Sequence, residues 1–348
     1  MPMSIEFSPT PELRSISIGS LPLESGESIE DCCITWVEHG LTDPDAPVAL
    51  ALCAIGSTHQ RMEFLIGPGL PLDTSRLRII AVNALGNGLS TSPSNSVRQP
   101  GHAFPVFSIR DMVASQARLL DELGVGRLDL VAGASMGGMQ ALQWGVSHPL
   151  RMERIVALSP RARTPGWSAT INEAARRALH PFVAPGIWSA QKSSATTWES
   201  WLLIMQLLAV TIPDRLDSEI PDHNALKHWL GRRAEEWAGR GFDPLDWFYQ
   251  SLAYDAHDVG KTPGQWGDTA TALASIQART LMLSARLDLY NPTERAAWAA
   301  KQIRGCVYAE IKSDWGHLTF SAADAGNAPL LRHHIAQFLW ASEDRSLS

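Results

Sequence analysis

The chain has 348 residues, 45% of them apolar and 19% charged, with a formal net charge of −7. That length and balance suit one large α/β domain carrying an insertion, with apolar residues enough to bury a sizeable core. The acidic excess argues against a nucleic-acid partner, which needs a basic face. The longest apolar run, residues 201–212 (WLLIMQLLAVTI), falls short of the roughly 20 residues of a membrane span and reads as a buried or lid helix.

Residues 1–20 are polar, with no basic start and no apolar centre, so they do not read as a secretory signal. Strands are expected at 32–38 (CCITWVE), 47–55 (PVALALCAI) and 77–83 (LRIIAVN). The last two are continuous apolar runs, the mark of strands buried on both faces. Residues 109–123 have helical spacing, with Ile109, Met112, Val113, Ala117 and Leu120 on one face. A strand at 128–132, a helix through about 147 stopped by His148-Pro149, and a strand at 152–158 follow. Alternating strands and helices imply a mostly parallel, doubly wound sheet.

From 164 to 270 strand character disappears, and helices are expected at 168–180, 195–212, 223–238 and 244–256. Eight of the thirteen tryptophans lie here, either as the core of a helical subdomain or as a lid lining a substrate tunnel. Strands return at 278–285 and 307–311, a closing helix spans 330–340, and residues 341–348 are expected to fray. The division is thus a core of 1–163 with 271–348, and a helical lid of 164–270.

Cys32, Cys33, Cys53 and Cys306 show neither a disulfide framework nor zinc-ligand spacing, which fits a reducing cytoplasm. His257 lies between Asp255 and Asp258, but no partner spacing supports a metal there. His333 and His334 read as surface residues of the closing helix.

The most informative stretch is Leu128 to Leu142, LDLVAGASMGGMQAL. An apolar run ends in Gly133-Ala134-Ser135-Met136-Gly137, and a helical pattern begins at once. This resembles the nucleophile elbow of α/β-hydrolases, in which a sharp strand-to-helix turn presents the serine. The helix start offers N–H groups to a developing oxyanion. Acyl transfer by Ser135 needs a base and an acid that orients it, in chain order serine, acid, histidine. Asp288 follows the strand at 278–285, where the acid belongs. His317 follows the last strand in Asp314-Trp315-Gly316-His317, and Gly316 lets that loop turn. Asp314 competes for the role of acid but lies too near His317 in sequence. The oxyanion donors are expected to be the N–H groups of Met136 and Ile55.

A wider set of residues resembles the homoserine O-acetyltransferase family of this fold. Ser135 to Trp144 (SMGGMQALQW) is similar to that family's SMGGMQALEW. Phe104-Pro105, Ser108 to Val113, Gln116, Leu119 to Asp121 and Leu123-Gly124 resemble its FP..TIRDMV..Q..LLD.LG. Asn83, Leu85 and Gly86 resemble its N.LG segment, and Asn172-Glu173 with Arg176 resembles its NE..R. The resemblance implies a homodimer through the lid, and a role for Arg176 in receiving a substrate carboxylate.

One departure bears on substrate. In that family the histidine is followed by an aspartate that receives the homoserine ammonium, whereas Leu318 follows His317 here. Losing a carboxylate from an ammonium site costs about 2–5 kcal/mol of recognition. The expectation is therefore a serine enzyme that hydrolyses a carboxylic ester and needs no metal or redox cofactor. The alternative is acyl transfer from an acyl-CoA to an alcohol other than homoserine. A non-catalytic binding protein is disfavoured by the intact Ser135, Asp288 and His317. The partner in either case is a small-molecule ester or acyl donor.

Overall fold

The computed structural model describes residues 11–189 and 193–340. Eight strands form one sheet in the order β1-β2-β4-β3-β5-β6-β7-β8. They are β1 Leu13–Pro22, β2 Ser28–Gly40, β3 Val48–Leu52, β4 Arg78–Val82, β5 Leu128–Ala134, β6 Met152–Leu158, β7 Arg279–Ala285 and β8 Val307–Ile311. The pairs β1–β2 and β2–β4 are antiparallel, and all later pairs are parallel. The sheet is therefore mostly parallel, as the alternating pattern predicts.

Burial explains the apolar runs. Along β3, Val48, Leu50 and Leu52 enter one buried cluster, with Met112 and Met139 of helices α1 (Ile109–Glu122) and α2 (Met136–Ser147). Ala49 and Ala51 enter a second cluster on the opposite face, with Met62, Leu65 and Ile335. A strand covered on both faces has no polar side to alternate with. Helix α1 starts at a capping box, in which the Ser108 side chain accepts from the Asp111 N–H and the Asp111 carboxylate accepts from the Ser108 N–H.

Between β6 and β7 lie α3 Gly166–Val183, α4 Ala195–Ile204, α5 Pro213–Glu219, α6 His223–Gly239, α7 Pro244–Ala256 and α8 Thr269–Ala274. The helix expected over 195–212 divides. α4 ends at Ile204, a wider π-helical turn covers Met205–Val210, and Pro213 opens α5. Proline cannot donate to an ongoing helix, so the chain restarts there. Trp198, Trp201, Trp237 and Trp247 pack together, with ring centroids 4.6–5.7 Å apart for four of the pairs. Trp201, Trp237 and Trp247 also line the cavity described below, so these tryptophans fill the lid core and wall a cavity at once.

Four elements were not expected: β1, the short α5 and α8, and α9 Thr293–Gln302 between β7 and β8. β1 is an edge strand that buries only Ile18 and Leu21. α9 (TERAAWAAKQ) buries chiefly alanine, which gives little hydrophobic contrast. The closing helix, α10, spans Ala328–Trp340. The expected frayed end at 341–348, and the first ten residues of the polar 1–20 stretch, lie outside the described residues. Among the described residues no helix is long and apolar enough to cross a membrane.

Candidate active site

β5 leads directly into the turn at Ser135, whose backbone sits at φ 57°, ψ −121°. A serine holds that conformation only where its surroundings impose it. Here its N–H donates to the Leu158 carbonyl of β6 at 2.8 Å, and α2 begins at the next residue. A Cβ on Gly133 would lie 2.3 Å from the Gly137 carbonyl oxygen, and one on Gly137 would lie 2.5 Å from the Leu52 carbonyl oxygen. Strand and helix approach too closely for a side chain at either position.

His317 lies in a single helical turn, Gly316–Phe320, after β8. Its Nε2 is 2.8 Å from Ser135 Oγ, and its Nδ1 is 2.7 Å from Asp288 Oδ2. Ser135, His317 and Asp288 are all buried. The Asp288 carboxylate also accepts from the N–H groups of Tyr290 (2.9 Å) and Asn291 (2.7 Å) and from the Ser159 hydroxyl. With donors on every side it acts as acceptor only, so Nδ1 of His317 donates to it. Nε2 is then the nitrogen left to accept the Ser135 proton. Asp314 is exposed and does not meet the imidazole.

A further buried layer fixes Asp288. Asn291 donates to the Ser159 carbonyl at 2.7 Å and accepts from Tyr254 at 2.6 Å and from Arg161 at 3.2 Å. Ser159, Asn291 and Arg161 carry no local sequence signal for this task, because they come from two loops, after β6 and after β7, that meet only in the fold. Only the position of Ser159, just past a parallel strand, could have marked it.

The chain beside the elbow follows from strand order. β3 lies beside β5, with Leu52 paired to Gly133, so the chain after β3 leaves the sheet next to the elbow. Gln140 of α2 donates to the carbonyls of Cys53 (3.1 Å) and Met136 (3.2 Å). Gln250 of α7 accepts from the Gly56 N–H at 3.0 Å and donates to the Leu85 carbonyl at 3.0 Å. The Ile55 segment is thus held from both sides. Met136 occupies the first position of α2, where an N–H has no intrahelical acceptor.

Ile55, Ser135, His317 and Leu318 line one cavity of about 150 Å³. That is well below the roughly 300–1,000 Å³ of pockets for drug-sized ligands. Arg176 is placed elsewhere and does not line this cavity. Its guanidinium is buried against Asp255 at 2.7 Å and Glu173 at 3.0 Å. With its charge already met twice, it serves the α3–α7 contact and not a substrate carboxylate. The cations that do line the cavity are Arg61, Arg233 and Arg240, none of which stood out in the sequence.

The alpha/beta hydrolase fold family matches residues 39–323. A homoserine O-acetyltransferase of Symbiobacterium thermophilum is 30% identical, over 92% of this chain and 91% of its own. An ethyl acetate hydrolase of Pseudomonas veronii is 29% identical, over 93% of this chain and 94% of its own. The crystal structure of the acetyl esterase MekB superposes with a TM-score of 0.84 at 28% identity, covering 94% of this chain and 96% of that one. The chain belongs to the alpha/beta hydrolase fold family, as an enzyme of its homoserine O-acetyltransferase-like branch.

Proposed function

We propose that the protein hydrolyses a short carboxylic ester through an acyl-Ser135 intermediate. The observation that carries this is the pair of hydrogen bonds on one imidazole, 2.8 Å to Ser135 Oγ and 2.7 Å to Asp288 Oδ2. As Ser135 Oγ bonds to the ester carbon, its proton passes to His317 Nε2, and Asp288 stabilises the imidazolium. The carbonyl oxygen becomes an oxyanion facing the N–H groups of Met136 and Ile55. On collapse the ester C–O bond breaks, and the Nε2 proton goes to the leaving alkoxide. Water then attacks the acyl-serine and gives its proton to Nε2. That proton returns to Ser135 Oγ as the acid leaves.

The cavity of about 150 Å³ favours a short acyl group. Leu318 on its wall favours water over homoserine as acceptor, since it offers an ammonium group no charge. Acyl transfer to another alcohol is the second reading, favoured by the likeness to a homoserine O-acetyltransferase. Both share the acyl-serine. Burst kinetics with p-nitrophenyl acetate, run with and without a panel of alcohols, test the proposal. Hydrolysis gives a turnover that alcohols leave unchanged. Faster nitrophenol release with ester formation in their presence gives the second reading. Absence of any burst or turnover, with no labelling of Ser135 by a fluorophosphonate, refutes both.

A further inference from the structure

Three guanidinium groups, from Arg61, Arg233 and Arg240, line the same cavity as Ser135 and His317. Their surroundings differ. Arg233 is answered by Glu236 at 2.9 Å. Arg240 has no ion pair among the described residues and lies over the face of Trp237, 4.6 Å from the ring centroid. The Nε of Arg61 is sealed from solvent and meets no acceptor.

An arginine is rarely buried without a partner, and an unmet buried donor is destabilising. Burial lowers Arg61 to about 10, and the charge of Arg240 acts in the same direction. Arg61 stays cationic near neutral pH even so. Cys53 does not serve as its counter-ion, because burial pushes that thiol up to about 11 and keeps it neutral. A water can occupy one N–H but cannot neutralise two cations that line one cavity.

We infer that this cavity is built for an ester that also carries a carboxylate, which Arg61 and Arg240 grip while Ser135 attacks the ester carbon. The inference rests on the hydrolase reading for its chemistry, though not for the anion site itself. A guanidinium matches a planar carboxylate with parallel N–H donors, and the confined, aromatic-walled setting strengthens the attraction. The two arginines come from different parts of the chain, Arg61 from the core segment between β3 and β4 and Arg240 from the lid at the end of α6. The site is therefore completed only when the lid is folded onto the core.

The test compares kcat/KM for monoethyl succinate with diethyl succinate, and for acetoxyacetate with its methyl ester. The first pair places the charge on the acyl side and the second on the alcohol side. In at least one pair the anionic ester should be preferred by about tenfold or more, the effect of one charge-assisted hydrogen bond. That ratio, taken within each variant, should collapse in Arg61→Gln and in Arg240→Gln. Arg240 is exposed, so its substitution leaves folding intact even if that of Arg61 does not. A smaller preference in both pairs, or a preference that survives both substitutions, overturns the inference.

Binding without chemistry separates the two readings. Succinate should raise the thermal midpoint of a Ser135→Ala variant above that seen in sodium chloride of equal ionic strength. The rise should vanish when Arg240→Gln is added. If no ester is hydrolysed but this shift is present, the hydrolase reading fails and the anion site stands. If esters are hydrolysed but succinate gives no shift, or phosphate alone gives one, the carboxylate site is wrong.

Discussion

Ser159 donates its hydroxyl to the same Asp288 oxygen that receives the Nδ1 proton of His317. Ser159 stands just past β6 at φ 45°, with its N–H bound to the Leu283 carbonyl of β7 at 2.7 Å. The acid is thus held by the ends of two adjacent strands and not by its own loop alone. Asp288→Asn should cost on the order of 10⁴ in kcat, by favouring the wrong histidine tautomer. Asp314→Asn should change kcat little. Ser159→Ala should fall between them, at roughly ten- to hundredfold, the effect of losing one hydrogen bond to a charged group. Rates on p-nitrophenyl acetate for the three variants check this order. A larger loss in Asp314→Asn than in Asp288→Asn would make Asp314 the acid and overturn the assignment of Asp288.

Ser135→Ala should abolish turnover and leave the fold intact. Members of such a set act as a unit, and single removals cost on the order of 10⁴ to 10⁶ in rate. Ester hydrolysis and circular dichroism on the same preparation make the measurement. Activity above about one hundredth of wild type would contradict a serine nucleophile.

Ser135, Asp288 and His317 were legible because each follows an apolar strand in a fixed chain order. Gly133 and Gly137 marked the elbow because no side chain fits there. The same topology brings Ile55 to the cavity wall beside Ser135 and puts Met136 at the first position of α2. Arg176 misled, because a local spacing cannot show that Asp255, a lid helix away, already meets its charge. Arg61 and Arg240 were silent for a related reason. They come from distant segments that line one cavity only in the folded chain, and they share no periodic pattern. β1 and α9 were missed where burial falls on few residues or on alanine.

Leu318 lines the cavity next to His317, and among the described residues no cavity-lining carboxylate replaces the absent aspartate. L-homoserine should therefore be a poor acyl acceptor, its ammonium left unpaired at substantial cost. Acetyl-CoA consumption with and without L-homoserine is the measurement. An efficiency near ~10⁴ M⁻¹s⁻¹, the low end for ordinary enzymes, would show that another group receives the ammonium and would favour the transferase reading.

Asp246 of α7 is buried and accepts from the Ser94 N–H at 2.9 Å and the Ser94 hydroxyl at 2.5 Å. Burial raises it to about 8, chiefly against the pull of those same bonds. The native state therefore holds a proton that the unfolded state releases. Its contribution to stability is complete below the unfolded carboxyl range and is lost as pH rises towards 8. His257, lowered to about 4 by burial, acts in the opposite sense at acid pH. The comparison must therefore be with Asp246→Asn. Between pH 5 and 7 the wild type should lose stability relative to that variant by up to about 1.4 kcal/mol per pH unit. Urea unfolding of both proteins across that interval measures it, and parallel curves would contradict the buried acid.

Gln250 and Asp246 also decide how molecules travel in and out. Both lie on α7, and both reach down to core loops, at Gly56 and Leu85 in one case and at Ser94 in the other. Lifting α7 would break several buried hydrogen bonds, each unmet group costing about 1–3 kcal/mol, and would unfasten the Ile55 segment as it opened. That helix is a floor and not a door. The wide turn at Met205–Val210 makes a different wall: Met205, Gln206 and Val210 line the cavity, and Leu207 and Leu208 are exposed. Because α7 is fastened to the loop that carries Ile55, any opening that lifts it disturbs that segment as well.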